Sequence, residues 1–250
     1  MTTVLETHNL VKRFGGIVAT SDVTFNLEHG ARHALIGPNG AGKTTFINQL
    51  TGVLQPTSGR IGLEGRDITQ LRPEARVRLG LARTFQINQL FPTLTPLETL
   101  TLAVSERLGA GRSAWRSIAK VPLLSREVAE VAERFGLADV LDQTTASLPY
   151  GRQRQLEIAV AFAAKPRVLL LDEPAAGVPE AERDDILAAI AALPAEVAVL
   201  LIEHDMDLVF RFADRISVLV SGAIMAEDVP DKIAADPLVR QLYLGEAAHG

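Results

Sequence analysis

The run GPNGAGKTT, Gly37 to Thr45, constrains this chain more than any other short stretch in it. It satisfies G-x-x-x-x-G-K-[ST] at every defined position. It also follows the apolar run ARHALI and opens the helix-like segment KTTFINQLTG. Strand, glycine loop and helix in that order make a cradle for phosphate. Gly37, Gly40 and Gly42 permit the backbone to turn successive N–H groups inward, and the helix start adds the positive end of its dipole. In this reading Gly37, Pro38, Asn39, Gly40, Ala41, Gly42, Lys43, Thr44 and Thr45 wrap the phosphates. Lys43 supplies a point charge for the β- and γ-phosphates, and the Thr44 hydroxyl ligates Mg²⁺.

A second motif completes the chemistry. RVLLLDEP is a Val- and Leu-rich strand ending in Asp172 and Glu173, so both carboxylates emerge at a sheet edge beside the cradle. Mg²⁺ prefers hard oxygen ligands and keeps several waters, which suits Asp172 holding it directly or through water. Glu173 then serves as base or orienter for an attacking water. The two motifs together predict a nucleotide triphosphatase.

The rest of the chain predicts where these motifs sit. TVLETHNLV and DVTFNL read as strands, the latter with Val23, Phe25 and Leu27 alternating as in a half-buried strand. GRIGLEG reads as a strand pair, Pro73 as the first turn of a helix and LARTF as another strand. From Gln86 to about Lys165 helix signals prevail. TPLETLTLAV carries a capping box at Thr95 and Glu98, REVAEVAERFG is amphipathic, and QLEIAVAFAA is apolar on most sides. Strand and helix alternation then resumes through VAVLLI, MDLVFRFA, RISVLV and AIMAE. The expected fold is α/β: a P-loop NTPase core with a mixed, mostly parallel sheet plus antiparallel β strands, and an inserted α-helical subdomain. Residues 1–85 and 166–250 form the nucleotide-binding core of this single domain, and residues 86–165 form the helical subdomain.

Composition removes other classes. The 250 residues include no Cys, which excludes disulfides, thiolate catalysis and thiolate zinc sites. No apolar run reaches the roughly 18 residues of a membrane span, and MTTVLETHNL lacks the form of a signal peptide. A net charge of −5 argues against nucleic acid as the main partner. The expectation is a soluble, cytosolic protein.

With these motifs in this order, the chain resembles the ATP-binding subunits of ABC transporters from Leu10 to Gly245. The resemblance implies ATP as the nucleotide and Phe14, in KRFGG, as the aromatic that stacks on adenine. It implies a hinge glutamine, Gln86 in RTFQ, that reaches the Mg²⁺ or the attacking water. It implies a short loop, AAGV from Ala175 to Val178, and a switch histidine, His204 in LLIEHDMD, that contacts the γ-phosphate. His8, His29, His33 and His249 receive no role.

The resemblance also gives meaning to SLPYGRQRQLEIA. In the family a signature segment at a helix start contacts the γ-phosphate bound to a partner subunit, so two chains sandwich two ATP molecules head-to-tail. Here it spans Ser147, Leu148, Pro149, Tyr150, Gly151, Arg152 and Gln153. Pro149 stands where the family's common pattern has serine, losing a hydroxyl and an N–H; Ser147 or the Tyr150 hydroxyl is the candidate substitute. This departure, with ARTFQINQLFPTLTPLETL, DEPAAGV, LIEHDMDLV and VRQLYLGEA, is similar to the longer of two ATP-binding subunits in branched-chain amino-acid importers.

That likeness implies uptake of leucine, isoleucine and valine, at the cytoplasmic face of a bacterial inner membrane. It implies as partners a second ATP-binding subunit (a related chain or itself), two membrane-spanning permease subunits and, indirectly, a periplasmic binding protein. Related importers carry urea, amides or aromatic compounds, and a soluble ABC-type ATPase is the more distant alternative. Ile87, Leu90 and Phe91 either receive the permease or fill the subdomain's own core. The stretch from Arg107 to Arg126, with five basic residues, no acid and Trp115, is either a solvated loop or one drawn to anionic lipid.

Overall fold

The computed structural model describes residues 2–84, 90–109 and 122–246. Gln86, Ile87, Trp115, His249 and the middle of the basic stretch lie outside them.

Among the described residues the strands form two sheets. A 4-stranded antiparallel sheet has the order β2-β1-β4-β5, built from β1 (Thr3–Phe14), β2 (Ile17–Glu28), β4 (Ser58–Leu63) and β5 (Arg66–Asp67). A 6-stranded sheet has the order β10-β9-β3-β8-β7-β6. Its strands are β10 (Ala223–Asp228), β9 (Arg215–Val220), β3 (Arg32–Ile36), β8 (Ala198–Ile202), β7 (Val168–Asp172) and β6 (Leu81–Arg83). Every pairing in it is parallel except β10 with β9. Mixed sheets and helices together match the expected α/β class.

Why β7 and β8 read as unbroken apolar runs is visible in their packing. Leu169, Leu171, Val199 and Leu201 face one hydrophobic cluster with the helices α3 (Pro96–Arg107), α4 (Pro122–Arg134), α5 (Tyr150–Ala163) and α6 (Glu180–Ala191). Val168, Leu170, Leu200 and Ile202 face the other way, onto Phe46, Ile47 and Leu50 of α1 (Lys43–Thr51) and onto the antiparallel sheet. A strand covered on both faces has no polar side to present. Each such leucine contributes roughly 1.5–3 kcal/mol by leaving water.

The cradle helix α1 is fixed at its far end by Arg76, the largest fully buried side chain among the described residues. Arg76 lies in α2 (Pro73–Arg78) and donates to the carbonyls of Gln49 and Leu50 in the last turn of α1. Burial pulls its pKa down to about 10, so it remains a cation at the negative end of the helix dipole. Gln49, itself buried, accepts the Thr20 hydroxyl of β2 at 2.9 Å. The antiparallel sheet and α2 therefore fix the last turn of the cradle helix.

Candidate functional site

The parallel register sets Leu35 of β3 beside Ile202 of β8, and Ile202 beside Asp172 of β7. Three neighbouring strands thus end at one level of one sheet edge, the place where open α/β sheets take their ligands. The glycine loop leaves β3, Glu203 and His204 leave β8, and Asp172 and Glu173 close β7. Groups more than 100 residues apart in sequence are brought together by this alignment.

The loop itself needs glycine where it meets its neighbours. A Cβ on Gly37 would stand 2.1 Å from the Leu219 carbonyl oxygen, and one on Gly42, at φ 103°, would stand 2.3 Å from that of Ala19. Helix α1 starts with no side-chain cap and no acid in its first turn, so its N–H groups and dipole favour an anion. Lys43 Nζ curls onto the loop, donating to the Gly37 carbonyl at 2.5 Å and the Pro38 carbonyl at 3.1 Å. Thr44 is exposed beside it. The Ala19 contact also brings the β1–β2 hairpin alongside, where the Phe14 ring is 46% exposed at the strand end. Lys12 Nζ lies 5.2 Å from that ring's centre.

Asp172 is 3% exposed and pairs with Arg83 Nη2 at 2.5 Å. The other fork of Arg83 donates to Asn48 Oδ1 of α1 at 2.7 Å. Arg83 therefore ties the end of β7 to the cradle helix, and it sits three residues before Gln86. Glu173 adopts φ 48°, a backbone region that non-glycine residues enter rarely and that gathers at functional sites. Its N–H donates to the Ile202 carbonyl at 2.9 Å. Its carboxylate Oε1 reaches to 4.0 Å from His204 Nδ1. Thr44 and Asp172 offer hard oxygens, and among the described residues no group of three acids and histidines could hold a metal alone. That donor set fits a magnesium ion that takes its remaining ligands from phosphate and water.

Glu203 received no role from the sequence. It is fully buried, and its carboxylate accepts the N–H of Ala175 at 3.1 Å on one oxygen and those of His204 at 3.0 Å and Asp205 at 3.5 Å on the other. Burial pushes its pKa up, while these N–H groups and the nearby His204 pull against that shift. The signal was legible: an acid ending the apolar run VLLI repeats the pattern of Asp172 after VLLL.

The signature segment opens α5 with Pro149 as N-cap and no side-chain cap. The Gly151 N–H donates to Glu182 Oε2 of α6 at 2.7 Å, a second carboxylate the sequence reading did not single out. Arg152 binds the Gly136 carbonyl, and Gln153 donates to the Leu148 carbonyl at 3.0 Å. The Ser147 hydroxyl donates to the Thr144 carbonyl at 2.7 Å. The Tyr150 hydroxyl lies against Gly177 of the AAGV loop, with the Arg154 guanidinium 5.1 Å from its ring centre. The signature is thereby seated on the loop that follows Glu173. Of the apolar residues beside the hinge, Phe91 is 61% exposed, whereas Leu90 packs against the helical cluster.

The chain is similar to known proteins over nearly its full length. The pattern of the ABC transporter family matches residues 20–176. Over 98% of both chains, the sequence is 43% identical to the high-affinity branched-chain amino acid transport ATP-binding protein BraF of Pseudomonas aeruginosa. It is 39% identical to LivG of Escherichia coli, which carries the same description, again over 98% of both. Among solved structures, a nucleotide-free ATP-binding cassette from an ABC transporter superposes with a TM-score of 0.84 at 31% identity, covering 97% of this chain and 99% of that one. The ADP conformation of such a cassette gives 0.83 at 31%, covering 98% and 100%.

Proposed function

This chain belongs to the ABC transporter family as an ATP-binding subunit, and on that premise we propose that it hydrolyses ATP to power an importer of leucine, isoleucine and valine. The supporting observation is the shared edge of β3, β8 and β7, which delivers Lys43, His204, Asp172 and Glu173 to one place. Full-length relatives described as branched-chain amino acid transport ATP-binding proteins support the cargo.

In this reading Phe14 stacks on adenine, and the loop from Gly37 to Thr45 wraps the phosphates. Lys43 leaves its carbonyl partners to neutralise the β- and γ-phosphates. Thr44 and Asp172 would hold a magnesium ion, which would neutralise charge developing on the phosphates, and Gln86 would serve that ion or the attacking water. Glu173 orients the attacking water and takes its proton, and His204 fixes the γ-phosphate beside it. Since phosphoryl transfer depends on positioning and charge, the placement of these groups carries most of the rate.

Residues 1–85 and 166–250 act as the nucleotide-binding core and 86–165 as a helical subdomain. The segment Ser147 to Gln153 serves the γ-phosphate of a second ATP-binding subunit, so a working site takes its cradle from one chain and its clamp from the other. Two permease subunits complete the assembly at the cytoplasmic face of the inner membrane, and a periplasmic binding protein supplies the amino acid.

The test is affinity purification of the tagged Glu173→Gln chain from its native membranes with ATP present. This change should slow hydrolysis by about 10²–10⁴-fold and hold the nucleotide-bound assembly closed. The expected result is recovery of two multi-span proteins and a second ATP-binding chain. Recovery of this chain alone contradicts the proposal, and a complex whose binding protein takes urea or an amide moves the cargo.

A further inference from the structure

We infer that Glu203 is a positioning residue of the hydrolysis, clasping the loop that carries Glu173 to the loop that carries His204. The inference rests on the reading of those two residues as the catalytic pair. The carboxylate divides its oxygens between the loops: Oε1 takes the Ala175 N–H, two residues beyond Glu173, and Oε2 takes the N–H groups of His204 and Asp205. On the first side, Glu173 stands at φ 48° and closes a tight turn in which its carbonyl accepts the Ala176 N–H at 3.0 Å. A strained backbone of this kind persists only where its surroundings over-determine it. The bond to Ala175 pins the turn two residues beyond its strained start. On the second side, Asp205 caps α7 (Met206–Phe212) through the Leu208 N–H at 3.2 Å and pairs with Arg183 of α6 at 2.8 Å. The switch loop is thus anchored outward by Asp205 and inward by Glu203.

What the clasp fixes is a distance. Glu173 Oε1 and His204 Nδ1 are 4.0 Å apart, and His204 Nδ1 is 3.7 Å from Glu203 Oε2. The water to be oriented and the phosphate to be held lie where these two side chains project, so a shift of one loop against the other misaligns both. The Ala175 side continues to Gly177 and the Tyr150 ring of the signature. The signature helix is therefore joined to His204 by the ring contact at Gly177, the chain back to Ala175 and the hydrogen bonds of Glu203.

The chemistry of a carboxylate makes this testable. Both oxygens accept, and each faces an N–H. Replacing Glu203 by Gln keeps the shape but turns one oxygen into an NH₂ group, which meets a donor whichever way it is placed. One loop is released and the fold is kept. In the assembled transporter, Glu203→Gln is expected to lower kcat by about 10–100-fold while the KM for ATP stays within about twofold. In a His204→Ala background the same change should lower kcat less than about twofold, because residues acting as one unit are not additive. Glu203→Asp, which keeps the charge and shortens the reach by one methylene, should likewise lower kcat and spare KM; it carries the test should the Gln variant not fold. Unchanged kcat in folded Gln and Asp variants, an equal loss in both backgrounds, or a loss matched by fewer nucleotide-binding sites would overturn the inference. Glu173→Gln is the control: if it turns over at the wild-type rate, the catalytic reading itself falls. A wild-type rate for Glu203→Gln beside an inactive Glu173→Gln removes the inference alone.

Discussion

Three acids close two apolar strands in this protein, and their surroundings give them different work. Asp172 is buried against Arg83, Glu173 leans half-exposed towards His204, and Glu203 is sealed among backbone N–H groups. Each closes a strand in much the same local pattern, and their partners in the fold separate them. His33 shows the same dependence. It reads as an unassigned histidine in a strand, yet the fold buries it, with Nε2 2.8 Å from Ser217 Oγ and the ring edge-on to Phe25. Burial lowers its pKa from 6.5 to about 4, against the pull of Glu227. The unfolded chain therefore binds a proton between those values that the folded chain does not. Stability is fully present above pH 6.5 and falls as pH drops towards 4. The contribution is up to ~3 kcal/mol. Urea midpoints should fall more steeply from pH 7.5 to 5 in the wild type than in His33→Gln. Parallel falls would mean that His33 does not titrate in this way.

At the scale of elements, the ends of helices carry much of the specification. The Thr95–Glu98 box is present in both directions: Thr95 Oγ1 accepts the Glu98 N–H at 3.2 Å and Glu98 Oε2 accepts the Thr95 N–H at 2.9 Å. Thr95→Ala should cost about 1 kcal/mol in chemical denaturation and leave ATP turnover per folded molecule unchanged. A loss of turnover without a loss of stability would instead tie the start of α3 to catalysis. Elements of this kind were legible in sequence because their signals are local: a cap, a proline at the first turn, a glycine after the last. The cradle and the acids ending β7 were legible for the same reason. Strand order was not, since nothing local says that β8 lies between β3 and β7. That order brings His204 between the cradle and Glu173. Arg83 and Glu182 were missed because each acts through a partner that only the assembled sheet and helices supply, whereas Glu203 carried a local signal, an acid closing an apolar run, whose bond to Ala175 needed the fold.

For the molecule as a whole, one sheet edge gathers the glycine loop, Asp172, Glu173 and His204, and the start of α5 lies beside the loop that follows Glu173. The signature is seated on the loop after Glu173, so in the proposed assembly the clamp for one nucleotide and the catalytic residues for the other move as neighbours. The most direct measurement is uptake of labelled leucine by cells lacking their own copy of this gene. Wild-type protein should restore uptake, and Lys43→Ala, which removes the charge facing the β- and γ-phosphates, should reduce it by at least about tenfold at equal protein level. Equal uptake with both proteins would contradict the claim that phosphate binding in this cradle drives the import of leucine.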